Sequence, residues 1–459
     1  MTVNGSRYFS PDYGLMVDRL AAAVREAGPV MVDEQDQLWV YEAGVWRPDR
    51  GDIRRRVTTL LGERARVTHR VQVQEVLRAT SAEIEVRPVP ELINFADGML
   101  RWRNDPDPVL LDHHPEYLST VQLPIKWDPA AECPEFDRFL SQAVPEDDRD
   151  RAWQVLGYLL MSGNPFQRMF MLTGAGGNGK GIFLNVVRAL LGNRNTAAEP
   201  LQDLGENRFS TAELFGKLAN ICGDIDSTYI ERTARIKELC GDDRMKGERK
   251  GERQFYFLFW GKAIFSANSI PATADSSRGW VRRWEVVPFP NTPTKEDPGL
   301  SARILASELP GVARKAVYAL RDLMEAGEFR RGESAELAQA EFAEKNNRVV
   351  RWINDPDTNV TREENTFNKG TTLLAAFRQW DAHEQGNSVR DISKHKFNEL
   401  ARLSGLEQAT IRGQRGYYGI RVKDGVMTPP ADQPWINRTR GLPPQNCTPE
   451  INTEPDTLL

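Results

Sequence analysis

One short stretch constrains this chain more than any other: Phe170-Met171-Leu172-Thr173-Gly174-Ala175-Gly176-Gly177-Asn178-Gly179-Lys180-Gly181. Four apolar-leaning residues read as a buried strand, a glycine-rich turn follows, and Ile182 to Leu191 reads as a helix. The spacing Gly-x-x-x-x-Gly-Lys is that of a phosphate-binding loop. Glycines let the backbone wrap so that its N–H groups point at phosphate oxygens, and the helix behind them offers its positive end to the same anion. Lys180 is expected on the β- and γ-phosphates of ATP, within a cradle of Gly174, Ala175, Gly176, Gly177, Asn178, Gly179, Gly181 and Ile182. Gly181 stands where a Ser or Thr hydroxyl ordinarily helps hold Mg2+, so the metal has to lean on acidic residues, water or a neighbouring loop. A plain glycine turn between a core strand and a helix is the bland reading; strand, loop, lysine and helix together argue against it.

A chain of 459 residues is long enough for about three domains. Its hydrophobic share of 40% and charged share of 27% are ordinary for a water-soluble protein. The formal net charge is only −5, so any nucleic-acid surface must be local. Cys133, Cys222, Cys240 and Cys447 have no zinc-site spacing and form no disulfide framework, which fits a reducing cytoplasm. No apolar run approaches the ~20 residues of a membrane span, and the N-terminus lacks a secretory pattern. A cytoplasmic protein with no membrane partner is expected.

Residues 1–90 read as an N-terminal α/β region. Tyr13 to Ala27, Asp52 to Leu61 and Val71 to Thr80 have helical spacing, and Gln37 to Trp46 reads as two short strands around a turn. Arg54, Arg55, Arg56, Arg64, Arg66 and Arg70 crowd this region and read as a solvated helix face in preference to a nucleic-acid contact. Residues 91–165 open on a strand–turn–strand, Leu92 to Leu100, with the hairpin signal Asp97-Gly98. Cys133-Pro134-Glu135-Phe136 starts a helical stretch to Ala143 and Asp150 to Met161 is another helix, so the region is expected to be mainly helical. His113 and His114 lack neighbouring ligands and read as structural or surface residues, not as a metal site.

Residues 166–330 carry the chemistry. Leu218 to Asp226 reads as a strand ending in two carboxylates, roughly 40–50 residues beyond the phosphate loop. Asp224 and Asp226 are the candidates for orienting Mg2+ and for polarising the attacking water; two apart, they share a face if the strand persists that far. Ile230 to Cys240 reads as a helix. Five of the ten residues 244–253 are Lys or Arg, broken by glycines into a loop or hairpin. Lys246, Arg249 and Lys250 are candidates for gripping a phosphate backbone, with a plain solvated hairpin as the alternative. Lys262 to Pro271 reads as a core strand with a polar tip, where Asn268 is placed to sense the γ-phosphate. Arg282 and Arg283 precede a further strand, and an arginine supplied across a subunit boundary stabilises transition-state charge in many ATPases.

With these residues assembled, the chain resembles the superfamily 3 helicases of phage and plasmid primase–helicase proteins, related to the poxvirus primase–helicase. Leu92–Leu100, Pro115-Glu116-Tyr117, Gln122-Leu123-Pro124 and Asp128–Phe136 are similar to the region before the ATPase in that family. Gly174–Gly181 has its Gly-x-Gly-x-Asn-Gly-Lys form, and Asp224 and Asp226 stand where it often has Glu-x-Glu. Ile236–Asp243 with the basic loop resembles its DNA-contacting motif, Ser266–Pro271 its sensor and Trp280–Phe289 its arginine-finger segment. The resemblance implies an α/β fold with an AAA+-like P-loop ATPase core, working as a homo-oligomeric ring, usually hexameric. ATP and Mg2+ lie between neighbours in such a ring, and basic loops line a channel around single-stranded DNA. Fewer than about 100 residues precede the resemblance, too few for an ordinary catalytic domain, so a primase domain is expected to be missing. A separate primase or polymerase is the implied partner.

Residues 331–424 are expected to hold a linker and a winged-helix-like domain. Helices read from Leu300 to Leu309, Val312 to Ala326, Glu333 to Asn346, Thr371 to Glu384 and Ser393 to Leu403, with a break at Asn354-Asp355-Pro356-Asp357. Arg412 to Val422 reads as a β-wing, whose neighbours Lys394, Lys396, Arg402, Arg412 and Arg415 serve DNA contact or packing equally well. Residues 425–459, rich in Pro, Thr and Asn, read as a disordered tail. The function expected is an ATP-dependent DNA helicase unwinding forked DNA during phage or mobile-element replication. The alternative is an origin-binding initiator or replisome-loading module that uses ATP for assembly.

Overall fold

The computed structural model describes residues 5–84, 87, 89–225, 230, 232–241, 243–251, 253–268, 271, 273, 275, 277–293, 297–355, 358, 360–385 and 392–422. Asp226 and the expected tail at 425–459 lie outside the described residues. The chain divides into two compact units, Met1–Arg348 and Val349–Leu459. The expected boundaries at 90, 165 and 330 all fall inside the first.

The first unit begins with helices Val17–Glu26, Asp52–Leu61 and Val67–Thr80 beside an antiparallel sheet of Val30–Val32, Leu38–Glu42 and Val45–Pro48. Leu20, Val24, Ile53, Val57, Val73 and Leu77 form their common core. The helix expected from Tyr13 starts only at Val17, because Gly14–Leu15 pairs with Phe9–Ser10. Arg54 and Arg55 are exposed, Arg55 paired with Asp52, while Arg56 donates to the Gly28 carbonyl at 2.7 Å.

A second antiparallel sheet, Leu92–Phe95, Gly98–Arg101 and Val109–Leu111, adds a third strand that the alternation did not reveal. The region 91–165 is therefore part sheet, and less helical than expected. His113 Nε2 lies 3.0 Å from Asn94 Oδ1 and 2.9 Å from the Phe95 carbonyl, a structural role.

The centre of the unit is a five-stranded sheet. Its strands are β1 (Met169–Thr173), β2 (Thr196–Ala197), β3 (Ala219–Cys222), β4 (Lys262–Ala267) and β5 (Trp284–Pro288). They pair in the order β2-β3-β4-β1-β5, all parallel. A parallel sheet is covered on both faces, so its strands are continuous apolar runs; Met169 to Leu172 is buried throughout. One face packs on helices Pro134–Ala143, Arg149–Leu160, Lys180–Leu191 (α1) and Leu309–Ala326, through Phe136, Tyr158, Phe183 and Leu320. The other packs on Leu201–Glu206, Ala234–Glu238 and Glu333–Lys345, through Leu204, Ile236 and Phe342.

The helix expected over Ile230 to Cys240 is reduced to Ala234–Glu238. Ile230 bridges instead to Thr273, and the Thr233 hydroxyl donates to Asp275 at 2.7 Å. Those long-range partners outweigh local helical spacing.

In the second unit an antiparallel sheet of Val360–Lys369, Gln414–Val422 and Glu407–Ile411 packs with helices Gly370–Gln385 and Lys394–Leu403. Trp352, Leu373, Phe377, Phe397, Tyr417 and Ile420 form its core. The Ser393 side chain caps the second helix by accepting from Lys396 N at 3.2 Å. The hairpin turns at Arg412-Gly413, both at positive φ (48° and 78°), the geometry that two-residue hairpin loops favour. The strand Val360–Lys369 was not anticipated; its sequence is mostly polar, and its partner Gln414–Val422 lies far along the chain.

Candidate functional site

Parallel register brings the C-terminal ends of the central strands to one edge. Ala267 on β4 and Pro288 on β5 both pair with Thr173, the last residue of β1. Cys222, the last residue of β3, pairs with Phe265. The segments that leave these strands therefore face one another, and this edge is where parallel α/β sheets hold ligands.

From β1 the chain enters the glycine loop. Gly174 has φ +146°, and a Cβ there would stand 2.2 Å from the Phe289 carbonyl, so only glycine lets the loop pass under β5. The buried Asn178 side chain donates to that same carbonyl and staples the loop to the sheet. Gly179, also at positive φ, then caps α1.

Lys180 is the first residue of α1 and is 5% exposed. Its Nζ shares its three N–H groups among four oxygens: the carbonyls of Gly174 (2.6 Å) and Ala175 (2.9 Å), Asn178 Oδ1 (3.0 Å) and Asn268 Oδ1 (3.3 Å). Burial lowers the ammonium pKa, and the Asp224 carboxylate works against that shift. The cation is thus held over the mouth of the loop by neutral acceptors that a phosphate can replace.

Asp224 does not extend β3. The strand ends at Cys222, and Asp224 turns off it at φ 49°, its N–H donating to Ser266 Oγ at 3.0 Å. The expected shared strand face for Asp224 and Asp226 is not formed at Asp224. Asp224, Asn268, Ser266 and residues 176–182 line one cavity of about 1330 Å³, with Arg138, Phe139, Arg188 and Asp297 on its other walls. Drug-sized ligands fill clefts of about 300 to 1,000 Å³, so this cavity is larger than one such ligand needs.

Mg2+ in such sites takes one or two carboxylates and fills its remaining positions with phosphate oxygen and water. Asp224 with the Asn268 and Ser266 side chains fits that donor set. Asp297 is already engaged by Arg303 at 2.6 Å. Among the described residues no three acidic, His or Cys side chains gather as a protein-only metal cage. Gly181 faces open space, its missing Cβ meeting nothing within 4 Å.

Arg282 and Arg283 sit at the opposite edge of the sheet, just before β5, about 17 Å of strand away from the loop. Arg282 is exposed and reaches Gln167 Oε1 at 3.2 Å, while Arg283 Nη1 donates to the Gly279 carbonyl at 2.6 Å. Neither lines the cavity. The basic segment forms an antiparallel hairpin, Met245–Gly247 with Phe255–Phe257, leading into the start of β4 and so also far from the loop. Lys246, Arg249 and Lys250 are all exposed on it.

Two family models match the chain. One, described as D5 N terminal like, covers residues 16–145; the other, a family of unknown function (DUF5906), covers residues 172–283. Together they point to a phage primase–helicase type of replication protein. No curated protein matches. Among solved structures, the chain is similar to an A-form apo structure of the NrS-1 C-terminal region, with 13% identity, 87% of this chain and 98% of that one covered, and a TM-score of 0.49. A further A-form apo structure of that region, spanning its residues 305–718, gives 12% identity over the same shares and a TM-score of 0.46.

The second family segment spans every candidate site residue from Gly174 to Arg283. Sequence reasoning placed Ser266 only within the sensor-like segment and missed its bond from Asp224, Asn178's bond to Phe289, and the cavity wall from Arg138 and Phe139. Ser266 carries a weak signal, a polar residue inside an apolar strand. Arg138 and Phe139 carry none, since only packing brings that helix beside the loop. Among the described residues no helix is long and apolar enough to cross a membrane.

Proposed function

We propose that this chain is an ATP-dependent DNA helicase that assembles as a homo-oligomeric, hexameric ring and unwinds forked DNA during phage or mobile-element replication. The observation that carries the reading is the convergence of the Lys180 ammonium, Asp224 and Asn268 on one large cavity at the C-terminal edge of a parallel sheet. In this reading residues 174–182 cradle the phosphates of ATP. Asp224 and Asp226 serve Mg2+ and the attacking water, and Asn268 reads the γ-phosphate. The distance of Arg282 and Arg283 from their own loop supports a role on a neighbour's ATP, because they cannot reach the cavity beside them. Lys246, Arg249 and Lys250 track single-stranded DNA from the exposed hairpin.

Strand displacement on a forked duplex tests the whole reading. Wild-type protein is expected to separate strands only with ATP and Mg2+, and Lys180→Ala to lose hydrolysis and displacement together. A wild type that hydrolyses ATP but separates nothing would refute the helicase. A second reading, an origin-binding initiator or replisome-loading module, draws on the capped helix Lys394–Leu403 beside the hairpin Glu407–Val422, with exposed Lys394, Arg402 and Arg415. Sequence-specific footprints that survive Lys180→Ala would favour it.

A further inference from the structure

The hairpin carries more than cations. Along Phe255–Phe257 the side chains alternate: Phe257 is buried and Phe255 half-buried, both packed edge-on against Phe215 at 5.6 and 5.5 Å. Tyr256 between them faces out and is 54% exposed. It stands directly across the hairpin from Lys246, also exposed, so ring and ammonium share the outer face at cross-strand spacing. Neither Lys246 nor Lys250 has a carboxylate partner among the described residues.

A second exposed ring lies on the segment tied to the hairpin backbone. The Thr211 hydroxyl donates to the Lys246 carbonyl at 2.7 Å, which holds the segment before it against the hairpin. That segment presents Phe209, 37% exposed, with the Arg208 guanidinium carbon 4.7 Å from its ring centroid. Arg208 Nε in turn lies 3.5 Å from Glu248 on the hairpin. Arg249 covers one face of the Phe255 ring at 5.0 Å, as Arg208 covers one face of Phe209, whereas no cation lies over the Tyr256 ring among the described residues.

Exposed rings beside unpaired ammonium groups serve poorly as core and well as a stacking surface: each base has a π-face, and each nucleotide brings one phosphate. We propose that Tyr256 and Phe209 form a stacking platform for single-stranded DNA, each ring taking the face of one base while Lys246 and Lys250 engage the phosphates between them. The proposal deepens the helicase reading and rests on it for its choice of ligand.

The test is binding of a fluorescein-labelled oligothymidylate to the full chain by anisotropy, across a salt series, with thermal unfolding to check each variant's fold. Tyr256→Ala is expected to weaken binding about tenfold at every salt concentration, and Tyr256→Phe, which keeps the ring, to bind like wild type. Phe209→Ala weakens binding in the same salt-independent way. Lys246→Ala instead makes the log–log salt dependence shallower by ~0.7, the signature of one lost phosphate contact on a single strand. The platform is overturned if Tyr256→Ala and Phe209→Ala both bind like wild type, if Tyr256→Phe fails as badly as Tyr256→Ala, or if duplex of the same length binds as tightly. Normal strand displacement with ring-independent binding would remove the platform and leave the helicase. Ring-dependent binding by a wild type that displaces nothing would do the reverse.

Discussion

At residue scale the loop combines two glycines of opposite kind. Gly174 is enclosed by the Phe289 carbonyl and the Asn178 side chain, and any Cβ there collides with them. Gly181, one residue past Lys180, is open on every side, so a larger side chain fits. If Mg2+ is held beside this loop, Gly181→Ser supplies the missing hydroxyl. One such contact is worth ~1 kcal/mol, so the Mg2+ concentration giving half-maximal ATP hydrolysis is expected to fall about fivefold. A Mg2+ titration of initial rates checks it, and an unchanged requirement would count against the loop standing next to the metal. The same scale holds a second buried cation, Lys262 at the start of β4, whose Nζ donates to the Met161 carbonyl above the Tyr158 ring. Full burial drives its pKa well below the ordinary lysine value, and its place far from the cavity marks it as structural.

At the scale of elements, one carboxylate ties three of them together. Glu285 on β5 is 1% exposed and faces Arg151 at 2.5 Å, Arg168 at 3.0 Å and Arg331 at 2.9 Å. Arg151 lies on helix Arg149–Leu160 and is fully buried, and Arg331 leads into helix Glu333–Lys345. Burial lowers the Arg151 pKa, and Glu285 opposes that by holding its charge. Arg168 also donates to the Arg282 carbonyl, so the cluster fixes the backbone that carries the exposed arginines. Removing one partner of a buried ion pair costs about 3–5 kcal/mol, because the other charge is left without compensation. Glu285→Gln is therefore expected to destabilise the first unit by about that much in urea denaturation. A double change, Arg151→Met with Glu285→Gln, should recover part of the loss. Equal stability of Glu285→Gln and wild type would mean that the cluster is solvated in the native state.

For the whole molecule, the central sheet separates the candidate residues by edge. The loop, Asp224 and Asn268 occupy the C-terminal ends of the strands, and Arg282, Arg283 and the basic hairpin occupy the N-terminal ends. If the proposed motor is right, a second copy completes each site. Protein altered at Arg282→Ala and Arg283→Ala, and protein carrying Lys180→Ala, are each expected to lose at least a hundredfold in hydrolysis, roughly the weight of such groups. Mixed together, they should regain measurable activity, because a Lys180→Ala copy still lends its arginines to an intact loop. A mixture as inactive as its parts, or gel filtration that shows a strict monomer with nucleotide bound, would exclude the shared site.

The sequence by itself determined the features whose physics is local. The glycine loop is legible because its strand, turn, lysine and helix are consecutive residues with distinct conformational demands. The helix read over Ser393 to Leu403 is observed as Lys394–Leu403, with Ser393 as its cap. The basic segment, which its glycines mark as a loop or hairpin, is observed as a hairpin. Tertiary structure alone decided which distant segments meet. It set Ser266 under Asp224, Arg138 and Phe139 beside the loop, and Arg282 away from it. It cut the helix expected from Ile230 to five residues through partners near Thr273 and Asp275, and it buried Glu285 and Lys262 where hydropathy predicts no charge. These outcomes depend on strand register and on groups 42 to 134 residues apart, whose pairing energy exists only once the sheet has formed.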